Sequence, residues 1–430
     1  MRRGQPTLDA PPSSDRAPDA APAAIGVFVG SRPAFRPVPI RAGGTILGRL
    51  PDPDLPEDEQ SSRVHAEVTL TGGKLRVRDL GSRNGTYVNG HRVADTVVEL
   101  PCVVRVGCTV FAVVGDTRGL AGGVTMDGHG VVGPTLRAAL ARVERAAQTQ
   151  DTVLITGETG TGKERAARAF HDAGPARRGE LLAVNCATIP HGVAERLLFG
   201  AVKGAYSGAD APADGYLVAA DRGTLFLDEI GELDPLVQPK LLRVLETREV
   251  LPLGAARPIK VSTRFCFATM RKLRATVQDG GFRADLFYRI AREEIEMPAL
   301  RDRREDIPWL LSFAIARVAP ALTPHAKLVE ACLLRAWPGN VRELLAAAER
   351  AATLAREQGK DAVRDNHLDP GAGFSQAPAK PGRQLTREVN QQAIADHEGN
   401  LSAAARQLGL HRSQFYRLLT QLGIDRRGQE

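Results

Sequence analysis

Residues 152–164 read TVLITGETGTGKE, and this stretch decides the fold. The run 152–156 predicts a short buried strand, and a helical pattern follows Glu164. Between them, Gly157–Glu164 matches the first seven positions of the pattern GxxxxGK[ST]. Its three glycines, Gly157, Gly160 and Gly162, let the backbone bend tightly enough for N–H groups along Gly157, Glu158, Thr159, Gly160, Thr161 and Gly162 to ring a phosphate. The following helix N-terminus adds positive potential, and Lys163 is placed to reach the β and γ oxygens of a nucleotide. Glu164 stands where a hydroxyl usually ligates Mg²⁺, so the ion must rely on other groups.

Downstream, TLFLD at 224–228 predicts a second strand that ends on Asp228-Glu229. A carboxylate there can hold Mg²⁺ while its neighbour polarises an attacking water, which makes the chain an ATPase by its own residues. With FCFAT at 265–269 as a further strand among helical segments, residues 131–303 predict a parallel α/β subdomain, and 304–370 a helical one.

Short apolar runs separated by Gly, Pro and Asn turns fill residues 25–116 and predict an all-β sandwich. Residues 117–130 are glycine-rich and predict a linker; 1–24, crowded with Pro, Ala, Ser and Asp, predict a disordered tail. A second linker is expected over 371–384 and a small all-α domain over 385–430, where Gly409 suits the turn between two helices.

Composition narrows the classes. At 430 residues with 43% apolar content, the chain is multidomain and globular. No run approaches the roughly 20 apolar residues of a membrane helix, so a cytoplasmic protein with no membrane partner is expected. Five scattered cysteines and nine histidines form no CxxC or HExxH spacing, which excludes a disulfide scaffold and a protein-built zinc site. The net charge of +7 permits an anionic partner without requiring one.

The nucleotide motifs, together with VNCA at 184–187, LFGAVKGAYSGA at 198–209, GTLFLDEIGEL at 223–233, FRADLFYRI at 282–290 and WPGNVREL at 337–344, resemble the AAA+ domain of the sigma-54-dependent transcriptional activators, the bacterial enhancer-binding proteins. In that family Glu164 is the expected residue after the lysine. The resemblance implies that Asn185 senses the γ-phosphate through Glu229 and that Thr269 on the sensor strand lies near the phosphate. It also implies that Arg342 is the nucleotide sensor of the lid. Arg283 and Arg289 would be arginine fingers reaching a neighbouring subunit's ATP, which implies a homo-oligomeric ring, a hexamer. Gly204, Ala205, Tyr206, Ser207, Gly208 and Ala209 would form the loop that grips sigma-54 in the RNA polymerase holoenzyme. Two departures stand out: Tyr206 and Ser207 replace Phe and Thr, and Met270 stands where the family often has Asn.

Upstream, Gly48-Arg49, Ser62-Arg63-Val64-His65 and Asn84-Gly85 resemble a forkhead-associated (FHA) domain, a reader of phosphothreonine. Arg49, Ser62, Arg63 and Asn84 would contact the phosphopeptide, and His65 would brace the loop; the implied partner is a phosphothreonine-containing protein or a Ser/Thr kinase. The tail resembles the Fis-type helix-turn-helix usual at this family's C-terminus, which places His411, Arg412, Ser413, Gln414, Tyr416 and Arg417 on a recognition helix for enhancer DNA. The leading expectation is ATP hydrolysis coupled to remodelling of the sigma-54 polymerase closed complex under phosphothreonine control. Two competing readings are a DNA-binding regulator or repressor that keeps the ATPase fold only to oligomerise, and a phosphopeptide-binding scaffold.

Overall fold

A computed structural model describes residues 21–49, 55, 57–190, 192–206 and 210–374, with three isolated positions at 394, 397 and 401. The expected recognition helix, and Ser207, Gly208 and Ala209, lie outside the described residues.

Ten strands open the chain: β1 Ala23–Val29, β2 Arg32–Pro39, β3 Thr45–Leu47, β4 Ala66–Thr71, β5 Lys74–Asp79, β6 Thr86–Val88, β7 His91–Val93, β8 Asp95–Val98, β9 Cys102–Val106 and β10 Thr109–Val114. They form two sheets, β2-β1-β10-β9-β6-β7 and β3-β4-β5-β8, packed as the expected sandwich. Ala23 and Ala24, expected in the N-terminal tail, instead pair with Val114 and Val113 of β10 and are buried. Small residues give no hydropathy signal, yet they fit a crowded sheet centre.

Strand β5 alternates in the ordinary way, with Leu75 and Val77 buried and Lys74, Arg76 and Arg78 exposed. Strand β9 is buried at every position. Cys102, Val104 and Val106 enter the sandwich core, whereas Val103, with Val110 and Ala112 of β10, joins a second core. That second core is shared with helices far along the chain: Ile307–Val318, Ala326–Leu333 and Asn340–Glu357. One sheet of the sandwich is therefore covered on both faces, once by its partner sheet and once by the helical subdomain.

A buried ion pair crosses this contact. Arg105 Nε donates to Glu330 Oε2 at 2.6 Å, with only 8% and 7% of the two side chains exposed. The guanidinium also stacks 3.9 Å over the Tyr87 ring and donates to Gly107 O.

Residues 152–296 build the α/β subdomain around a five-stranded parallel sheet, ordered Leu181–Asn185, Thr224–Asp228, Arg264–Thr269, Thr152–Thr156, Glu294–Glu296. Helices α1 (Pro134–Thr149) and α2 (Lys163–Ala173) pack Leu140, Val143, Ala166 and Phe170 against one side of the sheet. The segment between sandwich and ATPase is not bare loop: it contains a hairpin, β11 (Thr125–Asp127) and β12 (Gly130–Val132).

Removing one partner of a buried ion pair strands the other charge and costs about 3–5 kcal/mol, whereas replacing both by apolar residues is close to neutral. Urea unfolding should accordingly show Arg105→Met and Glu330→Leu each strongly destabilised, with the double variant recovering most of the loss. Additive losses would show that the pair does not hold the interface.

Candidate functional site

The strand Thr152–Thr156 hands the chain to a glycine loop whose φ values at Gly157, Gly160 and Gly162 are +148°, +72° and +103°. A side chain at any of these positions is disfavoured, and at Gly160 a Cβ would meet Gly339 O at 2.3 Å. Lys163 opens α2 and is 8% exposed. Its Nζ donates to Gly157 O at 3.1 Å and lies 3.4 Å from Glu229 Oε1. The loop forms one end of a cavity of ≈ 770 Å³ that also reaches Glu164, Asn185, Asp228, Glu229 and Arg342.

Asp228 ends its strand beside the loop. Burial and the neighbouring Glu229 carboxylate push its carboxyl above the usual range. A cation beside Asp228 would relieve both effects, and a single carboxylate suits Mg²⁺, which keeps waters and phosphate oxygens as its other ligands. Among the described residues no group of three or more His, Cys, Asp and Glu could hold a metal unaided, so the donor set fits an ion carried by a nucleotide.

Glu229 adopts a left-handed backbone at φ +50°. Such strain in a non-glycine residue persists only where the surroundings impose it. Here Glu229 Oε2 accepts from the Met270 N–H at 3.1 Å, and Oε1 faces Lys163. The carboxylate is thus held toward the phosphate loop. The backbone of residue 270 provides this support and its side chain points to solvent, which explains why Met can occupy a position where Asn was expected.

Two expected contacts differ from the sequence reading. Asn185 lines the cavity, but its Oδ1 accepts from Ala187 N at 2.9 Å and caps a short helical turn without touching Glu229. Thr269 is fully buried, and its Oγ1 accepts from Arg271 N at 3.0 Å, so the hydroxyl turns into the chain and away from the cavity. An ST-type turn satisfies it locally.

The lid grips the loop with residues that motif reading passed over. Arg301 forms a two-point pair with Glu158, 2.7 and 2.8 Å, and holds that carboxyl below its usual range. Arg303, almost wholly buried, donates to Thr161 O at 2.8 Å. Asn340 has the left-handed φ of +51° at the first position of its helix, and Gly339 takes the N-cap position. Its Nδ2 donates to Glu158 Oε2 and Thr159 O, both at 3.0 Å, while its Oδ1 accepts from Leu300 N. Arg342, two residues on, places Nη1 3.5 Å from Thr159 Oγ1.

Arg283 stands at the N-cap of the helix Ala284–Ile290 and Arg289 in its last turn, and both are absent from the lining of their own chain's cavity. Arg283 is half-exposed and pairs with Asp285; Arg289 donates to Leu245 O at 2.7 Å. In the loop at 204–206, Gly204 is left-handed and the Tyr206 hydroxyl accepts from Arg196 Nη1 at 2.8 Å, with the guanidinium 5.4 Å from the ring centroid.

In the sandwich, the expected phosphopeptide residues lie on two adjoining loops, Arg49, Ser62 and Arg63 between β3 and β4 and Asn84 between β5 and β6. Arg49 Nε donates to Ser61 O at 3.2 Å and its guanidinium pairs with Glu57; Asn84 Nδ2 donates to Gln60 O at 2.7 Å. His65 is buried, accepting from Ser62 N and meeting Gly85 O at 3.2 Å. Arg63 is exposed beside them.

A model of the sigma-54 interaction domain matches residues 132–296, an FHA domain model 45–109, an AAA+ ATPase lid model 301–384, and a model of Fis-family bacterial regulatory proteins 384–422. The transcriptional regulatory protein ZraR of Escherichia coli (strain K12) is 39% identical over 304 residues, covering 67% of this chain and 68% of ZraR. The chain belongs to the sigma-54-interacting AAA+ transcriptional regulators. ZraR of Klebsiella oxytoca is 40% identical over 66% of this chain and 67% of its own. NtrX from Brucella abortus, crystallised with ATP, is 30% identical over 71% of each chain with a TM-score of 0.51. As a member of this AAA+ family the chain is an ATPase, and it adds an FHA domain and a Fis-type helix-turn-helix segment.

Asn340→Gly keeps the left-handed backbone and removes only the side chain that bridges loop and lid. Losing hydrogen bonds to a charged group costs about 1.5 kcal/mol, so ATP binding should weaken roughly tenfold in an equilibrium titration. Unchanged affinity would show that the bridge does not shape the site.

Proposed function

We propose that this protein couples ATP hydrolysis to opening of sigma-54 polymerase complexes, with phosphothreonine recognition by the FHA domain as its input and enhancer DNA as its anchor. The observation that carries the reading is the position of Glu229: its strained backbone and its contacts with Met270 N and Lys163 point a carboxylate at the phosphate loop.

In this reading Lys163 and the loop amides hold the ATP phosphates, and Glu229 orients the attacking water and takes its proton. Asp228 would hold Mg²⁺, which, when bound with ATP, supplies neutralising charge at the β and γ oxygens. Asn185, on the cavity wall, would give up its bond to Ala187 N and turn to Glu229 once a γ-phosphate arrives. Thr269 acts indirectly, through the turn that leads to Met270. Arg283 and Arg289 extend to the ATP of a neighbouring subunit in a hexameric ring, where a guanidinium fork stabilises charge on the transferred group.

The loop at 204–209 would contact sigma-54, with Tyr206 released from Arg196 in the engaged state. Arg49, Ser62, Arg63 and Asn84 would bind the phosphothreonine and its flanking backbone, and the phosphate would displace Glu57 from Arg49. His411, Arg412, Ser413, Gln414, Tyr416 and Arg417 would read the enhancer.

In vitro transcription with sigma-54 polymerase on a template bearing the protein's upstream site should require ATP and wild-type protein. Glu229→Ala should bind ATP but lose at least 100-fold in hydrolysis and in transcript. Arg49→Ala should abolish the response to a phosphothreonine peptide and leave ATP hydrolysis by the unstimulated protein intact. Open complexes formed equally well by Glu229→Ala would overturn the reading.

A further inference from the structure

The hairpin β11–β12 lies in the chain segment that joins the FHA domain to the ATPase, yet it forms a wall of the nucleotide cavity through Met126, Asp127, Gly128, His129, Gly130 and Val131. Such a short hairpin has little stability of its own. Two arginines hold it. Arg137, on α1, donates from Nη1 to Gly123 O at 3.1 Å and from Nη2 to Thr125 Oγ1 and Val132 O, both at 3.1 Å. Arg165, on α2, pairs with the Asp127 carboxylate and donates from Nη1 to His129 O at 3.2 Å and Val131 O at 3.4 Å. The Arg165 side chain is 16% exposed, and it stands two residues beyond Lys163.

The cavity has two chemically distinct ends. The phosphate loop and Lys163 fix where the β and γ phosphates must lie. At the other end Val131 and Leu136 face Leu310, Phe313, Val341 and Leu345 of the lid. A nucleotide whose phosphates occupy the loop has to lay its ribose and base in this apolar end, between hairpin and lid.

We propose that Arg165 is a positioning residue for the nucleoside: it latches the β11–β12 hairpin onto α2 so that the hairpin walls in the ribose and base of ATP. Arg165 needs no contact with the nucleotide. It links the helix that carries the phosphate-binding lysine to the wall that meets the other end of the same molecule.

The test uses the full chain with Arg165→Leu and, as a second lesion in the same latch on an exposed residue, Asp127→Ala. Steady-state hydrolysis should show KM for ATP raised about tenfold in Arg165→Leu and severalfold in Asp127→Ala, with kcat within twofold of wild type. Inorganic tripolyphosphate, a competitor lacking ribose and base, should inhibit wild type and both variants with the same Ki. An unchanged KM in Arg165→Leu would overturn the proposal. So would a tripolyphosphate Ki that rises in step with KM, because Arg165 would then be shaping the phosphate loop and not the nucleoside wall.

Discussion

The phosphate loop of this protein is held from outside. Glycine supplies the left-handed turns that a phosphate nest requires, but the same freedom leaves the loop without a conformation of its own. Arg301, Arg303 and Asn340 provide the missing constraint through the Glu158 carboxylate and the Thr159 and Thr161 carbonyls. Fixing those carbonyls fixes the peptide planes of the loop, and with them the direction of the N–H groups that a phosphate would meet. Because all three side chains belong to the lid region, loop geometry and lid position are one variable. The same contacts bring Arg342 to Thr159, on the wall of the cavity.

A second dependence runs from the lid to the FHA domain. Ile25, Val27, Phe28, Val103 and Val110 of the sandwich share one apolar core with Leu311, Ile315, Val329 and Leu333 of the lid. Burial on this scale is non-directional and stabilises any close fit; the Arg105–Glu330 pair adds register, because only one alignment leaves neither charge stranded. On the other side of β9, Asp58 accepts from Cys108 N and Thr109 Oγ1, fastening the loop that carries Ser61 and Ser62 to the turn after Arg105. Local hydrogen bonds thus tie the FHA loops to the strand that faces the lid.

How much of this the sequence discloses follows from how local each cause is. The glycine loop, the acid pair at a strand end and the alternation in β5 are each written within about ten residues, and motif and period reveal them. The role of Asn340 depends on partners some 180 positions away, so it reads as an ordinary helix start. The hairpin at 125–132 reads as linker because three-residue strands among glycines carry no period; its cause lies in Arg137 and Arg165, which look like surface charges on helices. The double cover of β9 had a visible sign: CVVRV is continuously apolar except for the one residue that pairs across the interface. A run without alternation points to two covered faces, although nothing in it says what the second cover is.

These contacts together fix which parts can move as units. Separating the FHA domain from the lid would expose a core and strand two buried charges, whereas the contact between lid and α/β subdomain consists mainly of polar bonds around a cavity. Lid and FHA domain are therefore held together as one unit by the shared core and the buried ion pair. Leu120 and Val124 pack against the shared core, and so does Val131 of the hairpin, which Arg137 and Arg165 bind at the same time to α1 and α2. The hairpin therefore stands between the shared core and the α/β subdomain, and relative motion of the two strains its contacts on one side or the other. Because the same hairpin lines the nucleotide cavity, the site and the shared core meet in one short element.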